Sequence, residues 1–360
     1  MRATAFSVGE PAPWFYCRTQ LKERFCFDTI AGRYVVISFL GSSVDPTSIK
    51  ILEGVQTHRR RFDDDHVCFF GVSVDPEDEK LGRIQDSIPG MRVIWDFDRS
   101  VSSLYGALQV DGSIRQMTYI LDPALRVLAV IPVEEPTQSH ILSLMRCLDN
   151  LPLLEKAHAA TQQAPVLVIP RIFEPALCKA LIRYYDDHGG QESGFMVERQ
   201  GKTIQITDHN HKQRRDCTIE DEALSKACTR RINSRLIPEI HKAFQFNTTR
   251  MERCMVACYS SEEGGHFFRH RDNTTKGTAH RRFAVSLFLN SGEYDGGALN
   301  FPEFGKALYS APTGGAVVFS CSLLHEATPV IRGRRYMFLP FLYDETAHAV
   351  REENLPFLGK

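Results

Sequence analysis

Short apolar runs separated by amphipathic segments occupy the first third of the chain. The runs at 32–41 and 66–75 are rich in β-branched and aromatic residues, which is typical of buried strands. The segment 46–62 between them repeats its apolar residues with helical spacing. A strand, a crossover helix and a second strand imply parallel pairing, so we predict an α/β unit.

The same unit continues with a strand-helix segment at 91–108 and an antiparallel pair of strands at 115–133. An amphipathic helix at 136–150 closes it. Beyond this helix the apolar periodicity is lost, and small and polar residues lead up to Pro165. The pattern predicts three parts of the chain: an amino-terminal unit at 1–150, a linker at 151–164 and a second unit at 165–360.

The second unit begins with a strand at 166–173 and helical segments, and it ends with short strands. The segment 218–246 reads as one long amphipathic helix that starts at a Thr218 cap and is interrupted before Pro238. From residue 250 onward, eight short strand-like pieces are divided by Gly, Pro and Asn turns, including one unbroken strand at 250–260. We therefore predict a double-sheet jelly roll braced by helices.

One constellation in the second unit indicates metal chemistry. His270 and Asp272 are two residues apart, so on an extended strand both side chains leave from the same face. With His325 as a third ligand they would complete a triad of two histidines and one carboxylate, which suits Fe(II). Arg335 could hold a carboxylate in the same pocket, whereas alternation points Arg334 to the opposite face.

Three strings carry a family resemblance: "VACYSSEEGGHFFRHRDN", "FAVSLFLNSGEYDGGALNFP" and "GGAVVFSCSLLHEATPVIRGRRYMF". Residues from about 165 to 345 resemble the Fe(II)- and 2-oxoglutarate-dependent dioxygenases of the prolyl 4-hydroxylase-like branch. An HxD pair alone is a weak signal, but this succession of motifs is specific. The resemblance implies that Fe(II) is bound by His270, Asp272 and His325, and that Arg335 binds the distal carboxylate of 2-oxoglutarate.

The same resemblance implies a reaction. O2 is consumed, succinate and CO2 are released, and a substrate C–H bond is hydroxylated; L-ascorbate is a further cofactor expected from the family. The carboxylate of Asp272 favours hydroxylation, because related halogenases lack it. Tyr259 matches a cosubstrate-contacting tyrosine of the family, or else is a barrel-wall aromatic, while Phe288 stands where a second such tyrosine is found. In related enzymes a mobile segment at the position of 191–217 covers the active site.

The amino-terminal unit resembles the thioredoxin-fold peroxiredoxins through "VGEPAPWF", "WDFDRSVSSLYGA" and "RQMTYILDP". That family places its reactive thiolate at the start of the helix after the first central strand. In "LGSSVDPTSIKIL" there is no cysteine, and Cys68 belongs to the next strand. Arg115 matches the activating arginine of the family but has no thiolate to activate. We therefore expect no peroxidase activity.

Composition limits the classes of partner and the compartment. A formal net charge of −1 provides no general attraction for nucleic acid, and no apolar run is long enough for a membrane span. The amino terminus lacks the features of a secretory signal. Ten cysteines without paired spacing fit reduced thiols, so we predict a cytoplasmic protein.

The sequence is compatible with three functions. The first is a hydroxylase acting on a protein side chain, prolyl-like, or on a small metabolite. The second is a scaffold in which the redox-inactive thioredoxin-like unit binds a partner, and the third is a thiol-dependent redox enzyme, which the missing cysteine disfavours. The amino-terminal unit could deliver substrate, form a homodimer or stabilise the oxygenase. Arg281 and Arg282 could meet an anionic substrate or form a solvated rim.

Overall fold

The protein is described here by a computed structural model that covers residues 5–134, 136–159 and 161–359. The chain divides into two compact units, one ending at His158 and the other beginning at Ala159. This boundary falls inside the segment 151–164 that the sequence pattern assigns to a linker. Each unit has its own hydrophobic clusters.

The first unit is built on one mixed sheet. Its strands are β1 (Tyr16–Thr19), β2 (Phe25–Cys26), β3 (Tyr34–Gly41), β4 (Val67–Ser73), β5 (Met91–Trp95), β6 (Met117–Leu121) and β7 (Val127–Pro132). Its helices are α1 (Pro46–Thr57), α2 (Pro76–Lys80), α3 (Ser100–Leu104) and α4 (Thr137–Asp149). The strand order is β2-β1-β5-β4-β3-β6-β7. Strands β3, β4 and β5 are parallel, and β6 and β7 form the predicted antiparallel pair.

Both faces of this sheet are buried. Val35 and Ile37 pack into one hydrophobic cluster, while Val36 and Leu40 pack into the cluster on the other face. The division follows from the alternation of side chains along a strand. Helices cover a sheet whose central strands are apolar on both faces, as parallel sheets require. The predicted thioredoxin-like α/β fold is confirmed.

The start of α1 carries a carboxylate instead of a thiol. Asp45 caps the helix by accepting hydrogen bonds from the backbone N–H groups of Thr47 and Ser48, at 2.8 and 3.4 Å. The amide of Gln116 also donates to Asp45, at 3.3 Å, whereas Arg115 is exposed. Cys68 lies in β4, where burial raises the pKa of its thiol to about 12. These contacts support the expectation that this unit has no reactive thiolate at the helix start.

The second unit contains most of the strands. They are β8 (Leu167–Ile169), β9 (Gln191–Glu192), β10 (Phe195–Arg199), β11 (Lys202–Ile206), β12 (Lys212–Gln213), β13 (Arg215–Thr218), β14 (Arg250–Glu252), β15 (Met255–Ser260), β16 (His266–His270), β17 (Phe283–Phe288), β18 (Asp295–Gly296), β19 (Leu299–Asn300), β20 (Leu308–Tyr309), β21 (Ala316–Ser320), β22 (His325–Ala327), β23 (Val330–Arg332), β24 (Arg334–Phe338) and β25 (Phe341–Tyr343). The helices are α5 (Pro175–His188), α6 (Glu222–Arg231), α7 (Ile237–Phe244) and α8 (Glu345–Asn354).

Two of the sheets form the predicted jelly roll. The smaller has the order β12-β16-β22-β19-β20, and the larger follows β14-β25-β17-β24-β15-β13-β9, with β21 and β8 joined through β17. Along β15, Val256 and Cys258 pack with the helices, while Ala257 and Tyr259 belong to the cluster shared with the smaller sheet. Alternation therefore gives the larger sheet one face for the bracing helices and one for the interior of the roll.

The long helix predicted at 218–246 is present in three joined parts. Residues Ile232–Leu236 form a π-helical turn between α6 and α7, next to Pro238, which has no N–H for the regular ladder. The predicted Thr218 cap is wrong, because Thr218 ends β13. Asp221 caps the helix instead, and its carboxylate accepts from the backbone N–H of Leu224 at 2.7 Å.

Two predicted segments differ from the structure. The polar stretch 191–217 is not one free lid, since β12 pairs with the smaller sheet and β13 with the larger, and only the β10–β11 hairpin stands apart from both. The strand predicted at 250–260 is broken at Arg253, whose φ of 68° lies in the left-handed region. Among the described residues, no helix has the length and apolar character needed to cross a bilayer.

A partly exposed charge cluster joins α5 to the π-helical turn. Glu174 accepts hydrogen bonds from Arg235 at 2.6 Å and from Arg231 at 3.0 Å. Burial acts to raise the pKa of Glu174, but the two guanidinium groups outweigh it and lower the pKa to about 2. The ionised carboxylate therefore stabilises the fold above its ordinary pKa of about 4.5, and this contribution is lost as the pH falls towards 2.

We expect Glu174→Gln to lower the free energy of unfolding at neutral pH by about 1 kcal/mol, a value reduced for solvent screening of this half-exposed pair. The difference between wild type and variant should shrink as the pH falls below the ordinary pKa of glutamate. Urea unfolding at neutral and acidic pH measures it. Glu353→Gln, on the exposed face of α8, is the control; an equal effect there would contradict the role given to Glu174.

Candidate metal and carboxylate site

Cross-strand pairing brings the three candidate ligands together. His270 at the end of β16 lies directly opposite His325 at the start of β22. Asp272 follows His270 by two residues, and its backbone N–H donates to the Cys321 carbonyl at 3.0 Å. The ligand atoms of the three side chains all lie within 4.8 Å of one another. Among the described residues, this is the one cluster of His, Cys, Asp and Glu side chains with such geometry.

Each histidine is held with the same ring nitrogen facing the centre. Nδ1 of His270 is 2.7 Å from the Phe268 carbonyl, and Nδ1 of His325 is 3.0 Å from the Leu323 carbonyl. Both Nδ1 atoms must donate to these carbonyls. Each Nε2 atom is then unprotonated, and its lone pair can coordinate a metal. Nε2 of His270 and of His325 lie 3.5 and 3.4 Å from the two carboxylate oxygens of Asp272.

Aromatic side chains enclose the two imidazoles. Phe267 stacks on His270 with ring centroids 3.5 Å apart, and Phe319 meets His325 edge-on at 4.6 Å. Burial lowers the pKa of His325 to about 4. Burial also acts to raise the pKa of Asp272, but the neighbouring histidines outweigh it, and the pKa of this carboxyl lies well below its ordinary value. A neutral imidazole and an ionised carboxylate are the forms that bind metals.

The cross-strand pair Tyr259 and Arg335 forms a second part of the same cavity. Their Cα atoms are register partners between β15 and β24. The Arg335 guanidinium carbon lies 4.9 Å from the Tyr259 ring centre and 5.3 Å from that of Phe288. Arg335 is 1% exposed, and within the described residues its Nε has no hydrogen-bond partner. Arg334, by contrast, points outward and is exposed.

Gly297 makes room for the Arg335 side chain. A Cβ atom built at Gly297 would lie 2.6 Å from Cδ of Arg335, closer than such contacts allow, and the φ of Gly297 is +64°. The sequence pattern explains this glycine only as part of a turn. Its close approach to Arg335 depends on how the β23–β24 segment packs against the turn between β18 and β19. The local sequence contains no signal for this packing.

The residues fit an Fe(II) ion and 2-oxoglutarate. Two imidazole Nε2 atoms and one carboxylate are the donor set that binds Fe(II) with open positions for further ligands. Arg335 offers a buried guanidinium with an unsatisfied donor, which suits a carboxylate. The cavity between these groups has a volume of about 590 Å³, within the range of small-molecule sites.

Three further histidines lie outside this triad. His266 is near the surface, where Nδ1 contacts the Gly264 carbonyl at 2.7 Å. His209 is exposed and contacts Gln213 and Glu192. His280 is buried against Glu252, at 2.5 Å. None of these three is in the cluster formed by His270, Asp272 and His325.

Sequence reasoning missed several charged residues that line the cavity. Lys212, Arg214 and Arg253 all face it, together with Arg281, for which a substrate contact was left open. Arg214 donates to the Tyr259 hydroxyl at 3.4 Å and to Asp216 at 2.5 Å. The only sequence signal for Lys212 and Arg214 is their place in a polar segment, which is equally typical of an exposed loop.

We expect His325 to remain neutral in metal-free protein well below the unperturbed histidine pKa of about 6.5. Nitrogen chemical shifts of the imidazole, followed by NMR during acid titration, measure this. Asp272→Asn should lower the pKa of His325 further, because it removes the negative charge that favours the protonated ring. Protonation of His325 near the unperturbed pKa in the wild type would show that the ring is more hydrated than the structure indicates.

Two family models match the chain. Residues 254–343 match the 2OG-Fe(II) oxygenase superfamily, and residues 8–130 match the AhpC/TSA family. A PKHD-type hydroxylase of Pseudomonas putida is 28% identical over 187 residues, which cover 48% of this chain and 75% of the relative. PKHD-type hydroxylases of two Synechococcus strains are 33% identical over 88 residues, which cover 23% of this chain and 38% of each relative.

Solved structures of two kinds are similar to parts of the chain. A prolyl hydroxylase from Trichoplax adhaerens, in complex with a hypoxia inducible factor peptide fragment, is 19% identical with a TM-score of 0.39. It covers 52% of this chain and 87% of its own. Peroxidoxin BcpB from Mycobacterium tuberculosis is 17% identical with a TM-score of 0.35, and covers 41% of this chain and 98% of its own.

Proposed function

Since this chain joins an amino-terminal AhpC/TSA domain to a carboxyl-terminal 2OG-Fe(II) oxygenase domain, we propose that it hydroxylates an organic substrate at the site around His270, Asp272 and His325. The observation that carries the proposal is the convergence of the three ligand atoms in one cavity with the buried guanidinium of Arg335. This preserved set also favours an oxygenase over a scaffold whose catalytic unit is degenerate.

The residues would divide the work as follows. His270, Asp272 and His325 hold Fe(II), and the two Phe268 and Leu323 carbonyls fix the orientation of the imidazoles. Arg335 binds the distal carboxylate of 2-oxoglutarate. When bound, Fe(II) and 2-oxoglutarate supply the oxidative chemistry, in which O2 and 2-oxoglutarate give succinate and CO2 and a substrate C–H becomes C–OH.

Tyr259 helps to bind 2-oxoglutarate in this proposal. Its ring lies against the Arg335 guanidinium, and its hydroxyl accepts a hydrogen bond from Arg214. The hydroxyl can therefore donate its own proton to a carboxylate held by Arg335. Phe288, which also lies next to the Arg335 guanidinium, is fully buried and offers only packing. The cosubstrate is thus held by one tyrosine instead of two.

The proposal extends to the class of substrate, the cellular compartment and the role of the amino-terminal unit. The substrate is a peptide or protein side chain, or a small metabolite; the cosubstrates include O2, and L-ascorbate sustains turnover. All ten cysteines are free and seven are buried, which supports a reducing, cytoplasmic setting. The amino-terminal unit serves partner binding or homodimer formation rather than thiol chemistry, since Asp45 occupies the start of α1.

Anaerobic titration with Fe(II) and 2-oxoglutarate tests the ligand assignment. We expect a visible charge-transfer band in wild type and none in His270→Ala. Arg335→Gln should keep the band but need about a hundredfold more 2-oxoglutarate, because removing one partner of a buried charge pair costs about 2–5 kcal/mol. A folded wild type without the band would contradict the proposal, as would an Arg335→Gln variant with unchanged 2-oxoglutarate affinity.

We expect Gly297→Ala to weaken 2-oxoglutarate binding by about tenfold or more, since the new methyl group must displace the Arg335 side chain that makes the charge-assisted bonds. Metal binding should be unchanged. Gly292→Ala is the matched control, because Gly292 has a φ of +90° but open space where a Cβ would lie. Both variants carry backbone strain, so equal effects on 2-oxoglutarate affinity would show that crowding of Arg335 is not the cause.

A further inference from the structure

Besides Arg335, four arginines line the cavity, and one of them, Arg271, is paired with Glu303. Arg214 comes from the turn between β12 and β13, Arg253 from the break between β14 and β15, and Arg281 from the segment before β17. Arg214 and Arg281 are 6% and 7% exposed, so both charges are held away from bulk water. Such an arrangement is costly unless each charge has a partner.

Arg253 has the least satisfied of these charges. Its nearest carboxylate oxygen within the described residues belongs to Glu252 and lies 3.9 Å from Nε, beyond hydrogen-bonding distance. The side chain keeps 31% of its surface exposed, and it is one of the groups lining the cavity. Its guanidinium carbon is 5.0 Å from the ring centre of Phe341. A donor-rich group is therefore presented to the cavity without a carboxylate bonded to it.

The neighbouring carboxylates are already engaged. Glu252 accepts from His280 at 2.5 Å and from Nε of Arg281 at 2.6 Å. Asp216 accepts from Arg214 at 2.5 Å and from the Ser193 hydroxyl. Burial, together with the charges of Arg281 and Arg214, lowers the pKa of Arg253 to about 10. The two carboxylates nearest to Arg253, those of Glu252 and Asp216, are thus shared with other cationic side chains.

The backbone at Arg253 is strained in a way that serves this placement. A φ of 68° is unfavourable for an arginine and interrupts what would otherwise be one continuous strand. Phe341 belongs to β25, which lies between β14 and β17 in the larger sheet. The Arg281 guanidinium is 4.1 Å and the Arg253 guanidinium 5.0 Å from its ring centre. Strain that persists in a well-packed region is a reason to look for a function.

We propose that Arg253 and Arg281 form a second anion subsite, supported by Arg214, which binds a carboxylate group of the substrate while Arg335 binds that of 2-oxoglutarate. This inference rests on the proposed function, because the ligand of the subsite is a substrate only if the protein is an oxygenase. Nη1 of Arg281 donates to the backbone carbonyl of Asp272 at 3.3 Å, so this subsite adjoins a candidate metal ligand. The cavity of about 590 Å³ has room for a small organic acid that is anchored there and reaches the candidate metal ligands.

Sulfate is a suitable probe, because it binds guanidinium groups and takes no part in turnover. Isothermal titration would use full-length protein loaded with Zn(II) and saturating 2-oxoglutarate, so that the Arg335 site is filled. We expect one sulfate to bind the wild type, with acetate competing and neutral acetamide not competing. Arg253→Gln should weaken sulfate binding by about tenfold or more, since a hydrogen bond to a charged group is lost.

Two variants control for general effects. Arg230→Gln removes an exposed guanidinium of α6 that does not line the cavity, and it should leave sulfate binding unchanged. Arg253→Lys keeps the charge and should retain most of the binding. Absence of sulfate binding in the loaded wild type would overturn the proposal. Equal binding in wild type and Arg253→Gln would overturn it too.

The source of the carboxylate and the dependence on the oxygenase assignment are tested separately. A capped pentapeptide with one central glutamate offers the same group on a larger molecule; if it competes with sulfate as well as acetate does, the assignment to a small acid is wrong. Titration of metal-free protein with sulfate needs neither Fe(II) nor 2-oxoglutarate, and the part of the binding that Arg253→Gln removes reports on the subsite. Sulfate binding there that is lost in Arg253→Gln supports the subsite even if the Fe(II) and 2-oxoglutarate titration fails.

Discussion

The antiparallel register between β16 and β22 is the constraint on which the candidate site depends. It sets His270 opposite His325, and the two-residue step to Asp272 then brings the carboxylate to the same place. A shift of one residue would turn every side chain of β16 to the other face and separate the three groups. Phe267 and Ala327, also partners in this pair, pack into the interior of the roll, and an irregularity of the ladder between Phe267 and His270 lets both of these residues line the cavity although they are three residues apart.

A second register, between β15 and β24, places the carboxylate-binding part of the cavity. Tyr259 and Arg335 are partners there, and the next residues along each strand, Cys258 and Tyr336, pack against the helices on the opposite face. The helices therefore act on the site through the sheet, since their packing determines which residues face inward. Side chains alternate along β24, so Arg335 faces the interior and Arg334 points to the opposite face, where it is exposed.

Buried charge in this interior exceeds what its own residues neutralise. Arg335 has an unsatisfied Nε, Arg253 lacks a bonded carboxylate, and Asp272 is held ionised beside two imidazoles. Such groups cost stability through lost hydration. A cation bound to Asp272 and anions bound to the arginines would relieve these costs, so ligand binding and folding stability should be coupled. Proteins commonly accept this kind of cost at functional sites.

The order of strands and helices, and the inward direction of Arg335, could be predicted because both follow from the periodicity of the chain. His270 and Asp272 could be paired from their spacing alone. Other features depend on contacts between distant segments, which one sequence does not show. Arg253 breaks a strand whose composition is favourable throughout, and Arg214 lies in a segment as polar as any loop. Asp221 caps the helix instead of the predicted Thr218, because pairing with β15 keeps Thr218 in a strand.

The most direct test is whether an oxygen atom of O2 is incorporated into succinate. Protein loaded with Fe(II) and supplied with 2-oxoglutarate under ¹⁸O2 should form succinate that contains one ¹⁸O atom, as measured by mass spectrometry. Asp272→Ala, folded and treated in the same way, should form none. Label in the wild type that disappears in the variant supports oxidative decarboxylation at this site. Wild-type protein that binds Fe(II) and 2-oxoglutarate but forms no labelled succinate would contradict it.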